Sequence, residues 1–349
     1  MKRLLAVLGA LAMIGGAVLV RGIITGDDGG GGGSSGWGGG DGDTHLVCVP
    51  ELEAACAALA EEDDSITFEV EDAGVTAARL TAPDFQPTES GVDGWVTLNP
   101  WPGLVDLRRE INQDAVVLGE ASEVLATTPL DVVGPTERLD ALVGEVCDAA
   151  ADTPVWRCFG ENAGRAWGGL PGGDPGWGTV NVGFPDPDRS ATGLLVLGQA
   201  SAEYFGALGG TTFARNDFDA GFSGWLGGIA DSSPNLPSTA GTPLDQLLQY
   251  GEASWDAVGD LDWTADAEVT GSRDEELLTV TYSSFMLAEA VAVPVRGHEL
   301  PDLTDDGARN ALVDAGFTNP TYDTDPELAV SPISPGLYQA LLEEWGLAT

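Results

Sequence analysis

The chain has 349 residues, with 56 Asp and Glu against 14 Lys and Arg, a formal net charge of −42 at pH 7. Such a surface repels nucleic acid and anionic lipid headgroups, so neither is expected as a partner. Hydrophobic residues make up 43% of the chain, enough for a sizeable core, and the length points to two domains or one bilobed unit.

Lys2 and Arg3 precede an apolar run over residues 4–20, followed by Arg21. This is a positive n-region and a hydrophobic h-region, longer than a usual signal peptide core and slightly short of a membrane span. Residues 1–25 therefore read as a signal peptide or an N-terminal membrane anchor, with an uncleaved anchor favoured. Either way the rest is exported, to the extracellular face of the cell membrane or beyond it. Residues 26–43 are almost all Gly, Ser and Asp, a flexible linker with a reach of roughly 20–25 Å. Four cysteines, Cys48, Cys56, Cys147 and Cys158, follow in the exported part. An even number in an oxidising compartment reads as disulfides. Three pairings exist, of which Cys48–Cys56 with Cys147–Cys158 is the simplest. The cysteine spacing and the two distant histidines, His45 and His298, match no metal site.

Residues 45–49 form a short apolar strand ending at Pro50. Residues 51–61 follow as a helix with Leu52, Ala55, Cys56 and Leu59 at helical spacing. Residues 66–70 and 94–98 alternate as strands, and a Pro-rich turn at 99–102 leads into a helix over 103–111. Residues 115–118 and 123–128 are further strand candidates, and 130–133 continues extended. A helix over 136–150 carries Leu139, Leu142, Val143 and Val146 on one face. Residues 155–158 read as a strand or a helical turn, and the Gly- and Pro-rich stretch 167–177 as a loop.

Residues 179–184 alternate as a strand. Two prolines, Pro185 and Pro187, make a turn, and Ser190 stands as N-cap of an apolar helix whose first turn holds Ala191, Thr192 and Gly193. Free N–H groups at such a start bind oxygen-rich or anionic ligands, unless the serine only caps its own helix. A long polar segment spans 216–242, then a helix 243–250. A strand from 256 ends in Asp260, Asp262, Asp266 and Glu268. Asp260 and Asp262 are oxygen ligands that could hold a cation, but the spacing matches no calcium loop, and in so acidic a chain they read as solvated surface carboxylates. Residues 277–282 are extended. Alternating strands and helices argue for parallel βαβ units, with ligands beyond the C-terminal strand ends. That rule selects Pro50 and Trp101.

The stretch "FPDPDRSATGLLVLGQAS" resembles the helix start of bacterial extracellular solute-binding proteins of the type 2 periplasmic-binding fold, with molybdate- and sulfate-type binders the nearest. "LATTPLDVV" and "LLTVTYSSFMLAEAVAVPV" resemble its two crossovers. "AVGDLDWTADAEV" resembles a strand with an acidic loop, and "LTDDGARNALVDAGFTNP" a late helix. The resemblance implies an α/β, two-lobed fold of mixed sheets flanked by helices. Residues 44–127 would form lobe I, 128–282 lobe II, and 283–349 the return to lobe I. It implies a monomer that closes around a small polar or anionic solute, partnered by a membrane permease of an ABC importer. Candidate ligand-binding residues are Pro50, Trp101, Thr127, Thr128, Ser190, Thr192, Gly193, Trp263 and Tyr282. No cofactor is expected. Two histidines and the absence of a nucleophile elbow argue against catalysis. The alternatives are an anchored extracellular enzyme acting on polysaccharide and a ligand-free interaction module.

Overall fold

The computed structural model describes residues 44–149, 155–234, 241–271, 278–281, 286–317 and 329–348. The expected N-terminal anchor or signal peptide and the Gly-rich linker lie outside these residues. Among the described residues no helix is long and apolar enough to cross a membrane.

Short apolar runs build one mixed sheet: β1 (Thr44–Cys48), β2 (Ile66–Val70), β3 (Gly94–Leu98), β4 (Ala126–Pro135), β5 (Val182–Gly183), β6 (Ala257–Leu261), β7 (Leu278–Thr281) and β8 (Leu287–Pro294). Their order is β2-β1-β3-β8-β4-β6-β5, with β7 also on β4. β1 runs parallel to β2 and β3, and β5 parallel to β6. β8 is antiparallel to β3 and β4. The ten-residue β4 joins the two halves of the sheet. Residues 126–129 pair with β8, and from Leu130 onward the strand pairs with β6 and β7. The change falls at Pro129, which has no N–H to give to a ladder.

Helices cover the strands largely where the periodicity puts them. After β1 a short 3₁₀ turn, Pro50–Leu52, runs into the helix Glu53–Glu62, which buries Ala55, Cys56 and Leu59. Disulfides join Cys48 to Cys56 and Cys147 to Cys158, the simplest of the three pairings. The helix Trp101–Asn112 starts two residues before its expected first residue, because Pro102 fits the first turn, where its missing N–H is not needed. Expected residues 136–150 form a helix, Thr136–Asp140, that widens into a π-turn, Ala141–Val146. Residues 155–158 belong to a helix, Trp156–Asn162, rather than a strand. The strand expected at 115–118 is reduced to one isolated bridge, Leu118 with Val295.

Three further elements differ from the sequence reading. The helix Ala73–Thr81 was not anticipated; its buried face is Ala73, Thr76, Ala77 and Leu80, too small and polar to stand out as an apolar stripe. The polar segment 216–242 contains the helix Ala220–Asp231, which buries Phe222, Trp225, Leu226 and Ile229 among glycines. One of these glycine-rich contacts is close: a Cβ on Gly160 would lie 2.1 Å from Trp225 Nε1. The acidic stretch after β6 is a helix, Asp262–Gly271, not a loop.

The central helix Ala191–Phe205 is buried from Ala191 to Glu203 and ends at Gly206 in the left-handed conformation. The last helix, Pro335–Ala348, packs on it and on Trp101–Asn112 and Ala220–Asp231, so the end of the chain touches both halves of the fold. Trp95, Trp101, Trp156 and Trp167 are fully buried core residues.

Candidate functional site

The C-terminal ends of β1, β2 and β6 and the turn after β5 open onto a cavity of about 940 Å³, a size that suits a small ligand. Pro50 and Glu51 reach it from the end of β1, and Thr127 and Thr128 from the crossover in β4. Pro185, Ser190 and Thr192 come from the central turn, Asp260, Asp262 and Trp263 from the end of β6, and Phe317 from the loop after the helix Asp306–Asp314. Strand ends and a helix start thus converge as expected of an open α/β sheet.

Six of the expected site residues meet here: Pro50, Thr127, Thr128, Ser190, Thr192 and Trp263. Trp101 does not. It opens its helix with the ring turned into the core, 0% exposed, and it is not among the residues lining the cavity. Gly193 is not on the lining either. A Cβ there would stand 2.1 Å from the carbonyl oxygen of Pro185, so the glycine is needed for close backbone approach between turn and helix. Tyr282 lies outside the described residues.

The helix start is capped as expected, and more completely. Ser190 has extended backbone and its Oγ accepts from the N–H of Gly193 at 3.1 Å. A second acceptor comes from a distant part of the chain: Glu51 Oε1 receives the Ser190 hydroxyl at 2.7 Å and the Thr192 N–H at 3.0 Å. The carboxylate of Glu51 therefore occupies the seat that the sequence offered to an anionic ligand, with the favourable dipole end of the helix behind it. An anionic solute at this helix start is displaced as a reading by the chain's own carboxylate. Nearby, Arg189 pairs with Asp72, and the Gly74 N–H donates to the Arg189 carbonyl at 2.9 Å. These contacts draw the turn after β2 against the turn after β5.

Of the 24 described residues lining the cavity, eight are Asp or Glu and none is Lys, Arg or His. That is twice the acidic share of the chain as a whole, so the cleft is more acidic than the general composition requires. Two of the acids in this region are not solvated, contrary to the reading of the stretch after β6 as surface. Asp260 is 3% exposed and lines the cavity. It sits directly across the ladder from Asp131 of β4, itself 3% exposed. Burial pushes the Asp260 carboxyl up to about 7, against the Leu261 N–H that steadies its anion, and Glu51, Asp245 and Glu268 push it further. Asp131 is pushed up to about 8 by burial and then by Asp262, with which it shares a hydrogen bond, and by Asp266.

The remaining wall is aromatic and polar. Trp263 meets Phe317 edge to face at 4.9 Å, and both line the cavity. The Trp263 backbone N–H donates to Thr128 Oγ1 at 3.3 Å, tying the new helix to the crossover. Thr192 is 1% exposed, and its hydroxyl has no hydrogen-bond partner among the described residues. The same is true of Glu51 Oε2 and of the Trp263 indole N–H. Sequence reasoning missed Glu51 and Phe317, and gave Asp260 only as the less favoured cation ligand of a stretch read as solvated surface. Glu51 stands three residues past the end of β1, which was signal enough to place it near a strand end but not to show what it holds.

No protein-family model matches the chain, and no characterised protein sequence matches it. Solved structures do. The periplasmic binding protein AfuA from Actinobacillus pleuropneumoniae, with exogenous fructose-6-phosphate bound, is similar at a TM-score of 0.51 and 14% identity, over 88% of this chain and 98% of that one. The periplasmic binding protein P5PA is similar at a TM-score of 0.49 and 12% identity, over 88% of this chain and 99% of that one. The likeness to AfuA establishes the fold as that of the two-lobed periplasmic binding proteins. The molybdate- and sulfate-binder subtype has no support from these structures.

Proposed function

We propose that the protein is an exported solute-binding protein that closes two lobes around a small polar ligand and delivers it to a membrane permease. Lobe I is residues 44–127 with the return 283–349, lobe II is 128–282, and the N-terminal segment holds the protein at the extracellular face of the membrane. The observation that carries this reading is the cavity itself. It lies where β4 leaves one half of the sheet for the other, and it is lined from both sides of that crossover, by Pro50 and Glu51 on one side and Thr192 and Asp260 on the other. A crossover of this kind is where a hinge between lobes acts. Binding rather than turnover is favoured because neither histidine lines the cavity and the Ser190 hydroxyl, which lies on the lining beside the Glu51 carboxylate, is spent on capping the central helix.

The test is a thermal-shift screen of the purified full-length protein against small amines, polyols, sugar phosphates and oxyanions. One class is expected to raise the melting temperature, with stabilisation near 2.7 kcal/mol at about a hundredfold excess over Kd. Ala54→Trp, placed on the exposed cavity rim of its helix, is expected to abolish the shift without unfolding the protein. No shift with any class, or a shift that survives Ala54→Trp, contradicts the reading.

A further inference from the structure

We infer that the solute of this cleft is a small organic cation, an amine or quaternary ammonium that also carries a hydroxyl. This rests on the solute-capture reading and adds to it the charge and the functional groups of the ligand.

Four independent features of the cavity agree. The described lining is one-third carboxylate and includes no basic side chain, so a cation is the species that removes its self-repulsion. The one built anion seat, the start of the central helix, is already filled by Glu51, while Glu51 Oε2 is left buried without a partner among the described residues. Thr192, 1% exposed and on the lining, has a hydroxyl in the same condition. Buried polar atoms are nearly always paired, so an unpaired hydroxyl in a ligand cavity marks a contact the ligand completes. Trp263 and Phe317 add aromatic surface beside the acids, and aromatic faces with carboxylates bind ammonium groups.

A bare metal ion fits less well. Among the described residues no three Asp, Glu, His or Cys side chains are grouped to hold one, and the cavity is far larger than an ion requires. An ammonium spreads its charge over a volume that the cavity has, and it is satisfied by single carboxylates placed several ångströms apart. Asp260 is the carboxylate placed to meet it: buried, on the lining, with one oxygen held by the Leu261 N–H at 2.8 Å. The hydroxyl of the solute would then pair with Thr192.

The test is isothermal titration of the full-length protein at pH 8 with ethanolamine, choline and putrescine, beside ribitol as the neutral probe and a sugar phosphate as the anionic one. At least one amine is expected to bind, the neutral and anionic probes not. Asp260→Asn is expected to weaken amine binding by more than about tenfold, since it removes one partner of a desolvated charge pair. Thr192→Val is expected to weaken ethanolamine or choline while leaving putrescine unchanged, a split that general damage to the site would not produce. Circular dichroism melting of both variants shows whether the fold is kept. Binding of ribitol or the sugar phosphate without any amine overturns the cation assignment and leaves solute capture standing. Amine affinity unchanged in a folded Asp260→Asn protein also overturns it, and silence from every probe overturns both readings.

Discussion

Two buried aspartates, one just before β6 and one near its end, meet opposite fates. Asp256, just before β6, is fully buried and fully served: its carboxylate accepts from Arg138 at 3.0 Å, the Trp167 indole at 3.2 Å and the Asn181 N–H at 2.7 Å. Arg138 is held in turn by Glu252 at 3.7 Å and lies over the Trp177 ring. Burial raises the Asp256 carboxyl, and these donors pull it back. Asp260, four residues on, is as deeply placed but has the Leu261 N–H on one side and acids around it. A carboxylate that serves the fold arrives with its donors built in. One that faces a cavity with its donors missing is set for a partner that is not part of the chain.

The comparison is broken most sharply by removing each acid in turn. Asp256→Ala leaves Arg138 with only the more distant and half-exposed Glu252, and strips the Trp167 indole and Asn181 N–H of their acceptor; it is expected to cost about 3–5 kcal/mol in urea unfolding. Asp260→Asn is expected to be neutral or stabilising, because it removes an ionisable group that the fold does not satisfy. Equal destabilisation by both would show that Asp260 is structural after all.

The disulfides sharpen the contrast at a smaller scale. Cys147–Cys158 closes the segment between Arg138 and Trp167, on the Asp256 side, and Cys48–Cys56 closes the turn that carries Glu51. Replacing either pair by serine is expected to lower stability by about 2–3 kcal/mol, from the entropy of a short closed loop. Only loss of Cys48–Cys56 is expected to weaken solute binding, as read by titration.

Ser190→Ala removes the cap hydrogen bond to Gly193 and the hydroxyl held by Glu51, at an expected cost of about 0.5–2 kcal/mol. Chemical unfolding measures this, and a larger loss would mean that Glu51 depends on Ser190 for its position.

The pH dependence is the most specific of these effects. Asp260, Asp131 and Glu203 have folded values near 7, 8 and 8, above the ordinary carboxyl range. Asp260 faces Glu51, Asp245 and Glu268; Asp131 faces Asp262 and Asp266; Glu203 is raised by burial and accepts from the Trp156 N–H and the Gln199 amide. Because the folded state holds these protons more tightly than the unfolded chain, their contribution is present at low pH and is lost as pH rises from about 4 through about 7–8. Melting temperature without ligand should therefore fall over that window, and Asp260→Asn should flatten part of the fall.

Much of the fold was legible because it rests on local pattern. The strands β1 to β3, the helix at 53–62 and the Ser190 cap follow from alternation, helical spacing and cap chemistry within a few residues of each other. The helix Ala220–Asp231 was hidden because its apolar side chains stand among glycines and polar residues, so only packing against Trp156–Asn162 shows which face is buried. The site was half legible. Thr127, Thr128, Ser190 and Thr192 stand at strand ends and a helix start, where the backbone itself offers ligand groups. Glu51 and Ser190 are 139 residues apart, and Asp131 and Asp260 meet only through the register of β4 on β6. No local feature distinguishes these acids from the other carboxylates of so acidic a chain; only the folded topology places them. Trp101 misled because a tryptophan after a strand end reads the same whether its ring turns to the cleft or to the core.

The most direct test of the account is proton exchange on binding. Titrating choline, which has no ammonium proton of its own, into the full-length protein near pH 7 in two buffers of different ionisation enthalpy counts the protons released. Net release is expected, because the incoming cation makes Asp260 ionise beside Glu51, Asp245 and Glu268, and Asp260→Asn should reduce that release. Choline binding with no proton exchange, or with the same exchange in Asp260→Asn, would contradict the claim that Asp260 is the carboxylate left open for the solute.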